Sequence, residues 1–182
     1  MKHGLLTVLL VACATTVSAG EDSVQEKIIE DALLPLPAAS RDGAEVAPYD
    51  AAWNRTVLRE GTNSIRSQAA GSATLSPNHS AQCFHESWEP SWVRVFQLLA
   101  EGMPGDEAPK TIFAEIDEGK LEGPDAGSVV FEIDKSGMRA QMGVSAPGAT
   151  AESTGLSTKR DVYRPWLMLE GTPWAHVHIP GK

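Results

Sequence analysis

One stretch of the sequence, residues 83–103, carries the strongest helical pattern in the chain. Ser87 can cap the start of a helix, and Pro90 then falls in the first turn, where a missing N–H is tolerated. Gly102 and Pro104 end the pattern. The apolar side chains fall on one face of this helix: Trp88, Trp92, Val95, Phe96, Leu99 and Met103. Two tryptophans and a phenylalanine on one face predict that a sheet packs against the helix.

Two further helices are predicted on either side of this stretch. Residues 106–119 place Pro109 in a first turn, and an apolar face follows with Ile112, Phe113 and Ile116. Residues 21–34 begin with a capping-box pattern and carry one apolar face. Prolines at positions 35 and 37 end that N-terminal helix.

The hydrophobic period changes to two after residue 129. Apolar side chains alternate along residues 129–134 and again along residues 138–144, with a turn at residues 135–137, which predicts a hairpin. A second hairpin is predicted from residues 166–169 and 174–179. In its last strand, Trp174, His176 and His178 point to one face, and the residues between them point to the other.

A third hairpin is expected earlier, with its arms at residues 56–59 and 64–66 and Gly61 in the turn. Residues 67–82 are rich in Ser, Ala, Gly and Asn and are expected to form an exposed loop.

These patterns predict an α+β fold in one domain. We expect an antiparallel sheet of about four to six strands, two helices packed on it and an N-terminal helix. The domain is expected over residues 51–182. Residues 20–50 form the N-terminal helix and a Pro/Ala linker, and this helix either docks on the domain or acts as a spacer.

The first 19 residues have the form of a signal peptide. A short basic start precedes an apolar run, and Val17–Ala19 is a small-x-small cleavage site. The apolar run is too short to span a bilayer. Residues 10–13 also fit a lipobox that ends at Cys13, so a lipid anchor in the bacterial envelope is the alternative to a periplasmic or secreted protein.

The formal net charge is −9, without a basic cluster. Such a chain is a poor binder of nucleic acid, and membrane contact is expected only if Cys13 carries lipid. If the leader is removed, Cys83 is the one cysteine that remains. An odd cysteine in an oxidising compartment indicates a buried thiol, an intermolecular bridge or a ligand role.

The histidines offer a possible metal site. Two histidines two residues apart on a strand, His176 and His178, present both imidazoles on one face. His85 could supply a third ligand for zinc or another transition metal, and Glu86 could act as a general base. The competing interpretation is that these are ordinary strand and helix-start residues. No cofactor motif occurs in the chain: it has no G-x-G-x-x-G, P-loop or G-x-S-x-G pattern.

The aromatic residues offer a different kind of site. Five tryptophans are present. If Trp166 or Trp174 is exposed beside the histidines, the two could line a groove for a small ligand.

Several pieces of the sequence resemble a group of uncharacterised secreted bacterial proteins. They are the LREGTN segment at residues 58–63, the CFHES segment at residues 83–87, and the PWLM and GTPWAH segments at residues 165–176. The resemblance implies secretion but no particular activity. In that group a second cysteine often stands near the position of Ser67, where it would pair with Cys83. This chain has serine there.

The sequence therefore favours an exported periplasmic or envelope protein with a non-catalytic binding function, whose partner is an envelope component or a small ligand. The alternative is a metal-binding protein or metal-dependent hydrolase that uses His85, His176 and His178.

Overall fold

The computed structural model describes residues 19–135 and 141–181. The predicted signal peptide up to residue 18, with Cys13, and the hairpin turn at residues 136–140 lie outside the described residues. The helices are α1 (Ala19–Leu33), α2 (Ala38–Arg41), α3 (Glu89–Ala100), α4 (Ala108–Asp117) and α5 (Ala151–Thr154). The strands are β1 (Glu45–Val46), β2 (Ile65–Ala69), β3 (His79–His85), β4 (Val129–Asp134), β5 (Gln141–Ser145), β6 (Trp166–Met168) and β7 (His176–Ile179).

The described strands form one sheet in the order β1-β2-β3-β4-β5-β7-β6. β1 runs parallel to β2, and every other neighbouring pair is antiparallel. The α+β class is confirmed. The sheet has seven strands within the described residues, one more than the upper end of the expected range. The additional edge strand, β1, has only two residues and is too short to be predicted from the sequence.

Both hairpins with alternating apolar residues are confirmed. β4 pairs with β5, and Val129 lies opposite Val144. β6 pairs with β7, and Leu167 lies opposite Val177. The helix predicted from residue 87 is also confirmed. A single 3₁₀ turn, Glu86–Trp88, leads into α3, and Pro90 lies in the first turn of α3.

The hairpin predicted at residues 56–66 is wrong. Arg59 forms an isolated bridge with Val46, whereas β2 pairs with β1 and β3. The loop expected at residues 67–82 includes parts of β2 and β3. The hydrophobic pattern does not reveal these strands, because Gln68 and Gln82 are polar side chains buried on the sheet. The two side chains hydrogen-bond to each other.

Helices cover both faces of the sheet. On one side, which we call the α1 face, Ala32 and Leu33 of α1 pack with Val46 and Cys83. The N-terminal helix therefore docks on the domain and does not act as a spacer. Cys83 is fully buried, and its Sγ lies 2.9 Å from Oγ of Ser67, the residue directly opposite it on β2.

The opposite side, which we call the α3 face, carries Phe84 and Val130, and Trp88 packs on them just before α3. α3 and α4 pack on each other through Val95 and Ile112. This layer holds the aromatic residues that line the candidate site. No helix among the described residues is long and apolar enough to cross a membrane.

Candidate functional site

A cavity of ≈ 720 Å³ lies between the α3 face of the sheet and α3. The apolar side chains of its lining include Trp88, Trp92, Val95, Phe96, Trp166, Met168 and Trp174. The polar ones include His79, Glu132, Asp134, Gln141, Arg160, His176 and His178. Its size and its mixture of apolar walls with a few polar groups are typical of small-molecule sites.

The strand register brings the two histidines of β7 to this cavity. His178 lies opposite Gly143 of β5, and Gly143 lies opposite Val130 of β4. Because side chains alternate along a strand, His176 and His178 both lie on the α3 face. Their ring centroids are 6.1 Å apart.

His176 is held in one orientation. Its Nδ1–H donates to the carbonyl oxygen of Trp174 at 2.8 Å, so the lone pair of the neutral ring is on Nε2. The ring meets Trp88 edge-on, with centroids 5.8 Å apart. Burial lowers the pKa of His176, although the hydrogen bond to Trp174 and the charge of Glu132 oppose this shift. The imidazole is therefore neutral at pH 7, with a hydrogen-bond acceptor at Nε2.

Gly143 leaves the space that the His176 ring needs. A Cβ at position 143 would lie 2.6 Å from Cγ1 of Val130 and 3.3 Å from Cδ2 of His176. Any larger residue at position 143 would push the ring or the valine out of place.

His178 is also neutral at pH 7. It packs against Trp166, with ring centroids 5.1 Å apart. Burial lowers its pKa to about 4, and the nearby His176, Arg160 and His79 contribute in the same direction.

Glu132 is fixed by a chain of buried amides. Gln82 Nε2 donates to Glu132 Oε1 at 2.7 Å, and Gln68 Nε2 donates to Gln82 Oε1 at 3.3 Å. Gln68 in turn accepts hydrogen bonds from the hydroxyls of Ser72 and Thr74. The chain holds one carboxylate oxygen, and the other, Oε2, lies 3.6 Å from Nε2 of His79.

Two buried polar atoms of the lining have no hydrogen-bond partner within the described residues. They are Nδ1 of His79 and Nε1 of Trp88. Buried polar groups in folded proteins are nearly always paired, so these two atoms are exceptions in the lining.

The structure places the predicted metal ligands in two separate places. His85 ends β3, whereas His176 and His178 lie three strands away on β7, which is roughly 14 Å at the usual strand spacing. His85 lines a second cavity of ≈ 520 Å³ with Glu86 and Asp125. Within residues 19–135 and 141–181, no group of three His, Cys, Asp or Glu side chains is arranged to hold a metal ion.

His85 and Glu86 have local structural partners instead. His85 Nδ1 lies 2.9 Å from the hydroxyl of Ser87 and also accepts the backbone N–H of that residue, which caps the 3₁₀ turn. Arg66 Nη2 donates to Glu86 Oε2 at 3.1 Å. Glu86, the weak candidate for a catalytic base, is thus remote from the histidine pair.

Trp166 and Trp174 both line the cavity, as the groove hypothesis requires, but neither is an open platform. Trp174 is buried, stacks on Trp92 at a centroid distance of 5.9 Å, and donates from Nε1 to Ser91 Oγ at 3.1 Å. Trp166 is also buried. They form walls of a partly open cavity rather than an exposed aromatic floor.

Sequence reasoning missed His79, Glu132 and the amides that hold Glu132. The alternation along residues 129–134 placed Glu132 on the face opposite Phe131, and that signal could have directed attention to it. His79 gives no such signal, because the composition of residues 67–82 predicts a loop.

Comparison with known proteins finds no match: no protein-family model, no curated protein and no solved structure is significantly similar to this chain. The resemblance to secreted bacterial proteins stays a prediction.

Proposed function

We propose that this protein is an exported binding protein that holds a small, partly apolar organic molecule in the cavity on the α3 face. The observation that carries the proposal is the cavity itself, in which aromatic walls adjoin neutral imidazoles and the Glu132 carboxylate. Aromatic walls supply apolar contact, and a few fixed polar groups select the orientation of a ligand.

The export part of the proposal rests on the leader. Cleavage after Ala19 would leave the buried contacts of α1 at Ala32 and Leu33 intact. The N-terminal sequence of the protein recovered from cells tests this point: Gly20 at the start supports export by type I cleavage, and Met1 contradicts it.

A cavity-filling variant tests the binding function. Met168 lines the cavity and is 37% exposed, so Met168→Trp can occupy cavity volume without disrupting the core. We expect the neutral fluorescent probe N-phenyl-1-naphthylamine to bind the wild-type protein saturably at one site. Met168→Trp should weaken this binding about tenfold, because overfilling a packed site costs about 1–3 kcal/mol.

Val57→Trp is the matched control. Val57 is 39% exposed and lies outside the cavity lining. The control should bind the probe as the wild-type protein does. Equal binding by wild type and Met168→Trp, or non-saturable binding by all three proteins, would contradict the proposal.

A further inference from the structure

The less exposed charge in the cavity is negative. The Glu132 side chain is 16% exposed, and Gln82 holds its carboxylate in place. Arg160 also lines the cavity and is near enough to act on His178, but its side chain is exposed to solvent, which weakens the effect of its charge. The chain as a whole carries a formal net charge of −9, so long-range attraction also favours a cation.

Two acceptors of the cavity lining are the Glu132 carboxylate and Nε2 of His176. His176 presents Nε2 as an acceptor, because its Nδ1–H is already bound to the Trp174 carbonyl. A ligand that pairs with both groups must carry hydrogen-bond donors.

The walls suit the same ligand. Trp88, Trp92, Trp166 and Trp174 line the cavity. Tryptophan faces attract cations and pack well on flat aromatic groups. An ammonium group beside Glu132 would then lie close to these rings.

We infer that the ligand is a small aromatic amine, with its ammonium group at the Glu132 carboxylate and its ring among the tryptophans. This inference rests on the binding function proposed above and specifies its ligand class. The juxtaposition of a fixed carboxylate, an imidazole acceptor on His176 and aromatic walls in one cavity distinguishes this ligand class from an acid or a neutral alcohol.

Three probes with one aromatic body test the inference: 2-(1-naphthyl)ethylamine, 2-(1-naphthyl)ethanol and 1-naphthylacetate. Isothermal titration calorimetry at pH 7 with the full mature chain measures each affinity. We expect the amine to bind about tenfold or more tightly than the alcohol, because a hydrogen bond between two charged groups is stronger than one to a neutral hydroxyl. The acid should bind more weakly than the alcohol.

Glu132→Gln identifies the group responsible. The amide keeps an acceptor for Gln82 and removes the charge. We expect this variant to lose about tenfold in affinity for the amine with little change for the alcohol. Glu118→Gln makes the same change of charge at a side chain that is 56% exposed, and it should retain the wild-type selectivity.

The outcomes separate this inference from the binding function. If all three probes bind equally, or if Glu132→Gln keeps the preference for the amine, the ligand class is wrong while the cavity remains a binding site. If N-phenyl-1-naphthylamine binds but the amine does not, the inference is also overturned. Failure of that neutral probe to respond to Met168→Trp contradicts the binding function itself.

Discussion

At the scale of single residues, His178 couples the stability of the fold to pH. Its pKa in the folded chain is about 4, below the ordinary value of 6.5, because burial disfavours the imidazolium. Between these values the unfolded chain binds the proton more readily than the folded chain. The stabilisation is therefore fully present above pH 6.5 and is lost progressively as the pH falls from 6.5 to about 4.

The variant His178→Gln tests this coupling. We expect the free energy of unfolding of the wild-type protein to fall more steeply than that of the variant between pH 7 and pH 4.5, as measured by urea denaturation. The difference between the two slopes reports the protonation of His178 together with its coupling to His176. Parallel slopes would show that His178 is not buried as described.

Cys83 is a titratable residue that serves only for packing. Burial raises the pKa of its thiol to about 12, and Sγ contacts the Ser67 hydroxyl and the carbonyl oxygen of Ala32. A thiol of this kind is a packing group, because the reactive form is the thiolate. Of the readings open for Cys83 in the sequence, the buried thiol is the one that the fold shows.

At the scale of elements, strand β5 shows how a single glycine shapes the site. Gly143→Ala would bring a Cβ within 2.6 Å of Val130 Cγ1. We expect a loss of about 1–3 kcal/mol of unfolding free energy, together with weaker binding of N-phenyl-1-naphthylamine as His176 is displaced.

Gly105→Ala is the control for the substitution at Gly143. A Cβ at position 105 would have no heavy atom within 4 Å. We expect its unfolding free energy to change by less than about 0.5 kcal/mol, by the same urea titration. A Gly143→Ala protein as stable as this control would contradict the packing described around His176.

Elements differ in how far the sequence reveals them. β4, β5 and β7 alternate between apolar and other side chains, so their pairing could be predicted. β2 could not be, because Ser67 and Gln68 are buried polar residues that interrupt an apolar pattern. Their burial is stabilised by hydrogen bonds to partners distant in the sequence, which periodicity does not show.

The same reason limits prediction of the site. The alternation of β7 was enough to place His176 and His178 on one face. His79 and Glu132 join them only through the register across β3, β4 and β5, and this register depends on long-range pairing. For that reason the sequence suggested His85, which is near a conspicuous helix, in place of His79.

At the scale of the whole molecule, the sheet separates two packed layers. α1 and its neighbours cover one face around Cys83, and α3 covers the other around Trp88. Near the β1 edge, Arg55 and Arg66 form ion pairs with Glu45 and Glu89. These ion pairs connect β1 and β2 to α3, so one wall of the cavity is fixed to the edge of the sheet opposite β6.

The most direct test of the account is to observe the five tryptophan indole N–H signals by ¹H–¹⁵N NMR during a titration with 2-(1-naphthyl)ethylamine. Four of these rings line the cavity, and Trp53 lies outside it. The account predicts that the signals of Trp88, Trp92, Trp166 and Trp174 shift with one common affinity while that of Trp53 stays in place. A shift of Trp53 equal to the others, or binding that leaves the four signals unmoved, would contradict it.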